Sequence, residues 1–136
     1  MSAVRVTTDL SEIDLDVVHR WLSTDAYWAI GRGRDVVERA ARASLNFGAL
    51  DGDGALLGYA RVVTDQATFA WLCDVYVDPA ARGTGTGRLL AQTVVTTLRP
   101  LGPRRVLLAT RDAHALYEQV GFEPFPDPHK LMQLAT

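Results

Sequence analysis

The stretch "LCDVYVDPAARGTGTGRLL", Leu72 to Leu90, runs from an apolar strand pattern into a helix pattern through three alternate glycines set between two arginines. A helix that opens directly after a strand points its unpaired N–H groups and the positive end of its dipole at the connecting loop. Glycine leaves room for an anion to approach those N–H groups, and a phosphate is the ligand such a loop suits. The plain alternative is a flexible glycine-rich turn. Two familiar phosphate loops fail on the letters. The segment carries no Gly-Lys-Ser/Thr, and a Gly-x-Gly-x-x-Gly frame begun at Gly83 or Gly85 ends on Arg88 or Leu90.

Upstream, Val4 to Thr7 is expected to form a short strand, and Ser11 stands three residues before Asp14 as a capping box for a helix carrying Ile13, Val17, Val18, Trp21 and Leu22. A second helix is expected from about Asp35 to Ser44 after the loop "AYWAIGRGR". "LNFGAL" and "ALLGYARVVT" read as strands joined by the hairpin turn "DGDG", and a turn at Asp65 to Ala67 leads to "TFAWLCDVYV". Three strands so closely joined make an antiparallel meander.

Downstream, the spacing predicts a helix from Thr86 to Leu98, a buried strand at Arg105 to Thr110, and a short helix at Asp112 to Val120 stopped by Gly121. Prolines 124, 126 and 128 precede a last expected strand near Lys130 to Leu134. The order predicts an α+β fold: a mixed, mostly antiparallel central sheet with helices on both faces.

A chain of 136 residues is the size of one domain, taken as 1–136. The net charge of −2 gives no basic face for duplex nucleic acid, so no nucleic-acid partner is expected. Cys73 is the single cysteine, which excludes an intrachain disulfide and a multi-cysteine zinc site. No signal peptide or membrane-length apolar run is present, so a cytoplasmic protein with no membrane partner and no metal is the expectation.

The spacing Arg82-x-x-Gly85-x-Gly87 resembles the Arg/Gln-x-x-Gly-x-Gly/Ala signature of the GNAT superfamily of acyl-CoA-dependent N-acyltransferases, and "DAHALYEQVGF" is similar to that family's Ala-x-x-Leu-Tyr-Glu-x-x-Gly-Phe segment. Together the motifs span Leu72 to Phe122. The resemblance implies a splay between the fourth and fifth strands that receives the thioester of acetyl-CoA. It also implies that Arg82, Gly83, Thr84, Gly85, Thr86, Gly87 and Arg88 hold the pyrophosphate, while Val75, Tyr76 and Val77 meet the pantetheine arm. Tyr117 matches the tyrosine that protonates the departing thiolate, a role its ordinary pKa of about 10 suits.

Two positions depart from the family pattern. Thr110 stands where many relatives carry Asn, and is expected to contact the pantetheine or a water. Cys73 stands where several relatives carry a carboxylate base, and reads as a small core residue. Asp74, expected on the opposite face of the strand, is the candidate for acceptor-amine binding or proton abstraction. Asp112 reads as the cap of the last helix, His114 as an exposed helix histidine, and Arg111 as a candidate contact for a coenzyme 3′-phosphate.

The family architecture places the acceptor near the loop between the first two helices and the tips of the meander. Tyr27, Trp28, Phe47, Phe69 and Trp71 are candidates for an aromatic wall, with Asp65 and Asp74 acidic and Arg32, Arg34 and Arg61 basic. Core packing is the alternative for the aromatic residues. The implied reaction moves an acetyl group to a primary amine of a small molecule in a ternary complex. A non-catalytic acyl-CoA-binding module and a protein or peptide N-acetyltransferase stay open beside it. Homodimers are frequent in the family, and oligomeric state stays open too.

Overall fold

Asp51 closes the first hairpin by accepting from the backbone N–H of Asp53 and Ala55 at 2.9 and 3.0 Å, the Asx chemistry that the "DGDG" letters announce. The computed structural model describes residues 3–136. Strands β1 (Arg5–Thr7), β2 (Leu45–Leu50), β3 (Leu56–Thr64), β4 (Phe69–Val77) and β5 (Arg105–Leu108) form one sheet in that spatial order. Every neighbouring pair is antiparallel except β4 and β5, which are parallel.

Helices cover both faces of the sheet. On one side α1 (Leu15–Asp25) and α2 (Arg34–Arg42) bury Val18, Trp21, Leu22 and Val37 against Tyr59 and Tyr76. On the other, α3 (Thr86–Leu98) and α4 (His114–Glu118) bury Leu90, Val94, Leu98 and Tyr117 against Phe47, Ala60, Val62 and Leu72. Each fully buried leucine or phenylalanine here contributes about 1.5–3 kcal/mol of burial free energy. This is the mixed α+β architecture that the element order predicts.

Three local expectations are corrected. The cap of α1 is Asp14, whose carboxylate accepts from the N–H of Asp16 and Val17; Ser11 instead sits in a preceding 3-10 turn capped by Asp9. Helix α4 begins at His114 with Ala113 as its N-cap and no side chain bonded over its first turn, so Asp112 does not cap it; the Thr110 hydroxyl accepts from the Ala113 N–H at 3.0 Å. The last strand does not form. Pro128–Lys130 is a single 3-10 turn, and residues 131–136 pair with no strand, leaving Leu131, Met132 and Leu134 exposed. Three prolines in the approach remove backbone donors and fix φ, so the chain reaches its end without the ladder an added strand needs.

The pairing of β4 with β5 stops at Leu72 with Leu108. Immediately beyond, β4 bulges. Tyr59 faces Tyr76 and Arg61 faces Cys73, so Asp74 and Val75 together oppose the one residue Ala60. Asp74 adopts φ +53, the left-handed region that costs a non-glycine residue about 1–3 kcal/mol. The extra residue reverses the face parity of the strand. Ala70 and Leu72 pack with α3 before the bulge, and Val75 and Val77 do so after it. Cys73 and Asp74 therefore share a face, against the strict alternation expected for them. The outward edge of β4 beyond Leu72 has no strand partner, which opens a cleft between β4 and β5.

Candidate active site

Two features converge on the open edge of β4. The first is the glycine loop. Gly83 and Gly85 sit at φ +77 and +87, and Gly85 is the N-cap of α3 with no side chain over the first turn. A Cβ added at either glycine would meet nothing within 4 Å, so the loop presents bare backbone to open space. The N–H groups of Thr86, Gly87 and Arg88 open the helix, where no intrahelical acceptor exists for them. This is a cradle that fits a pyrophosphate.

Arg82, expected to meet the phosphate, is anchored to the protein through part of its guanidinium. Its Nε donates to the Val77 carbonyl at 3.1 Å and its guanidinium lies over the Tyr76 ring, 5.2 Å from the centroid. Tyr76 in turn donates to Asp25 and packs on Trp21. Arg82 thus ties the loop to β4 and α1. Thr84 is also engaged locally, donating to the Ala81 carbonyl and lying 3.0 Å from the Thr86 hydroxyl. Gly83, Gly85 and the exposed Arg88 are left facing outward, whereas a Cβ at Gly87 would touch Val77 and Leu116 at 3.5 and 3.7 Å.

The second feature is the cleft itself, about 700 Å³, whose walls include Trp28, Arg32, Trp71, Cys73, Val75 and Tyr117. Asp74 is 4% exposed and fully engaged there. Its Oδ1 accepts from Trp28 Nε1 at 2.8 Å, and its Oδ2 accepts from Arg32 Nη1 at 2.8 Å and Arg61 Nε at 2.9 Å. Burial pushes its carboxyl up, but the Arg61 charge and hydrogen bond, the Trp28 bond and the Arg32 charge outweigh this and hold it below the usual carboxylate range. A carboxylate so satisfied is a poor base, and the geometry argues against proton abstraction by Asp74. It serves to pin the α1–α2 loop and two arginines to the bulge.

Cys73 lies beside it, and burial pushes its thiol up against the pull of Arg61, which keeps it protonated at neutral pH. Tyr117 enters from α4, 8% exposed, with its ring edge-on to Phe122 at 5.9 Å. Burial, then the charge of Asp112, push its phenol up to about 12. No protein acceptor takes its hydroxyl among the described residues, and no buried side-chain polar atom is orphaned, so the hydroxyl is open to solvent; the residue lines the cleft and also a smaller hollow beside β5.

Tyr27 lines the cleft. The Arg111 guanidinium stacks 3.8 Å from its ring centroid, and Trp28 meets it edge-on at 5.0 Å. Arg111 is thereby held by an aromatic face at the cleft.

Of the acceptor candidates, Tyr27, Trp28, Arg32, Arg61, Trp71 and Asp74 line the cleft, as does Thr110. The others do not. Asp65 folds the β3–β4 turn, accepting from the Thr68 hydroxyl and from the N–H of Thr68, Ala67 and Phe69, and those bonds hold its carboxyl far below the usual range. Phe69 begins β4 at that same tip, Phe47 is fully buried in the core, and Arg34 pairs with Asp16 and Glu38 on the surface. Ser44, which holds Arg61 through its hydroxyl at 3.0 Å, is missed by sequence reasoning because nothing in one helix end announces a partner 17 residues on. Among the described residues no group of three or more metal-ligating side chains exists, and no helix is long and apolar enough to cross a membrane.

Comparison with known proteins agrees with this geometry. The model of the Acetyltransferase (GNAT) family matches residues 15–122. A crystal structure of a protein belonging to the GNAT family from Xanthomonas campestris pv. campestris superposes with a TM-score of 0.92 at 43% identity, covering 100% of this chain and 95% of that one. FG08082 of Gibberella zeae, an acetyltransferase by name, is 29% identical over 88% of this chain and 79% of its own. The mycothiol acetyltransferase of Beutenbergia cavernae is 40% identical over 54% of this chain, a match that spans only 26% of that protein. The chain belongs to the GNAT acetyltransferase family, which implies acetyl-CoA as its cosubstrate.

Proposed function

We propose that the chain transfers the acetyl group of acetyl-CoA to a primary amine of a small molecule, with both substrates bound together. The observation that carries this reading is the meeting, along one unpaired strand edge, of the glycine cradle at one end and the Tyr117 hydroxyl and polar cleft at the other. Gly83 to Arg88 hold the pyrophosphate, and the free edge of Val75 to Val77 hydrogen-bonds the pantetheine arm. Acetyl-CoA supplies an activated thioester. The protein supplies N–H donors on the β4 edge for the carbonyl oxygen, and it positions the amine for attack.

A primary amine is ammonium at neutral pH and first gives one proton to solvent; the new C–N bond then forms as the C–S bond breaks, while one further proton leaves nitrogen and one reaches sulfur. A phenol pushed up to about 12 by burial gives its proton outright to a less basic thiolate only uphill. Tyr117 therefore relays: it donates to sulfur as the proton released from nitrogen, carried by water, replaces its own. This scheme needs no strong carboxylate base, in keeping with the engaged state of Asp74. Tyr27 on Arg111 bridges the two walls of the cleft, which favours a small acceptor over a peptide.

The test is thiol release from acetyl-CoA with a panel of amines, using wild type and Tyr117→Phe. Amine-dependent release that falls sharply in the variant supports the reading. Acetyl-CoA binding without release for any amine would favour a binding module instead.

A further inference from the structure

Asp74 is one carboxylate between two guanidiniums that line the cleft, and it leaves some of their donors unused. Arg32 uses only Nη1 on Asp74, while Arg61 uses Nε on Asp74 and Nη1 on Ser44. The Nε and Nη2 of Arg32 and the Nη2 of Arg61 have no acceptor among the described residues, and none of these atoms is sealed from solvent. The two side chains are only 22% and 15% exposed, and both line the cleft. Nε and Nη2 lie on one edge of a guanidinium, the fork that matches two oxygens of a carboxylate or phosphate. Asp74 and Trp28 fix that fork in place, so little side-chain freedom is lost when it is used.

The charge balance points the same way. Arg32, Arg61 and Arg111 line the cleft against Asp74 and Asp112, and Arg111 is stacked on Tyr27. A bare cationic amine entering this cleft would meet a surplus of positive charge with its one buried carboxylate already satisfied.

We propose that the acceptor is a primary amine that also carries an anionic group, held bidentately by the Nε/Nη2 edge of Arg32 with Arg61 Nη2 beside it. The inference rests on the acetyl-transfer reading for the amine and on the free guanidinium edge for the anion. Arg32 and Arg61 are then the residues that determine acceptor specificity, and Asp74 is the residue that positions them. Carboxylate and phosphate share this chemistry, and the experiment separates them.

The experiment compares pairs of primary amines identical but for a terminal carboxylate against its carboxamide, with a phosphonate analogue as a third arm and KM counted on the neutral amine. Wild type is expected to prefer the anionic member by about tenfold or more in kcat/KM, the size of a charge-assisted hydrogen bond. Whichever of the carboxylate and phosphonate arms shows the larger preference names the source. Arg32→Gln is expected to abolish the preference while acetyl-CoA affinity holds, and Arg32→Lys to restore part of it. Equal use of the uncharged members by wild type overturns the proposal, and so does a preference that survives in Arg32→Gln. Calorimetry of the same amines on the coenzyme-A-loaded wild type reads the selectivity without turnover. Anionic selectivity without transfer keeps this inference and removes the acetyl-transfer reading; transfer with equal affinity for charged and uncharged members does the reverse.

Discussion

Arg32 Nη1 lies 2.8 Å from Asp74 Oδ2, joining the loop between α1 and α2 to the β4 bulge at the point where the sheet opens. The contact couples three levels of the molecule. A left-handed residue turns a carboxylate to the cleft side, the carboxylate orders a loop, and the loop carries Tyr27, Trp28 and Arg32 over the site.

Removing the carboxylate should be costly. Asp74→Ala leaves two arginines without their counter-charge in a semi-buried setting and is expected to destabilise the fold by about 3 kcal/mol. Urea unfolding with an unchanged m-value is the check. Asp74→Gly is expected to cost less than the alanine variant, because glycine accepts the positive φ at that position.

The same group gives an acid-sensitive component of stability. Its folded-state pKa is depressed relative to the unfolded chain, so the stabilisation is complete above the unfolded value of about 3.9 and fades as pH falls through the folded value. Thermal melts between pH 6 and 2.5 should show a steeper loss for wild type than for Asp74→Asn. Parallel curves for the two proteins would remove Asp74 from the acid response.

Tyr117→Phe keeps the ring against Phe122 and deletes only the hydroxyl. Turnover is expected to fall by about 10² or more while KM for acetyl-CoA stays near wild type, as loss of a general acid dictates. Because burial and Asp112 push this phenol up to about 12, the wild-type rate should show no alkaline decline attributable to Tyr117 below pH 10. A rate that titrates near pH 9 only when Tyr117 is present would contradict the assignment.

The fold was largely legible because its deciding letters are contiguous. The meander, the glycine loop and α3 follow one another between Leu45 and Leu98, and each depends on local turn and cap chemistry. The motifs at Gly85 and Tyr117 pointed to residues that the structure sets at the start of α3 and in the wall of the cleft. The Asp74 network was not legible, since a bulge is a relation between two strands, and β4 alone does not show that Ala60 meets two residues. Asp65 misled for a related reason: an acidic residue at a strand tip looks the same in sequence whether it meets a ligand or folds its own turn. The expected strand near Lys130 to Leu134 does not form because prolines 124, 126 and 128 punctuate the chain that leads to it and Pro128–Lys130 takes a 3-10 turn, so the outer edge of β5 stays without a strand partner.

The central claim is that the cradle at Gly83 to Arg88 and the open β4 edge bind acetyl-CoA. Calorimetric titration of acetyl-CoA into the wild-type protein and into Gly85→Glu tests it most directly. The glutamate places a carboxylate and a strained positive φ where the pyrophosphate is to sit. Micromolar binding at one site per chain, lost in a variant that still melts cooperatively, is the predicted result. Equal binding by both proteins, or none by the folded wild type, would contradict the account.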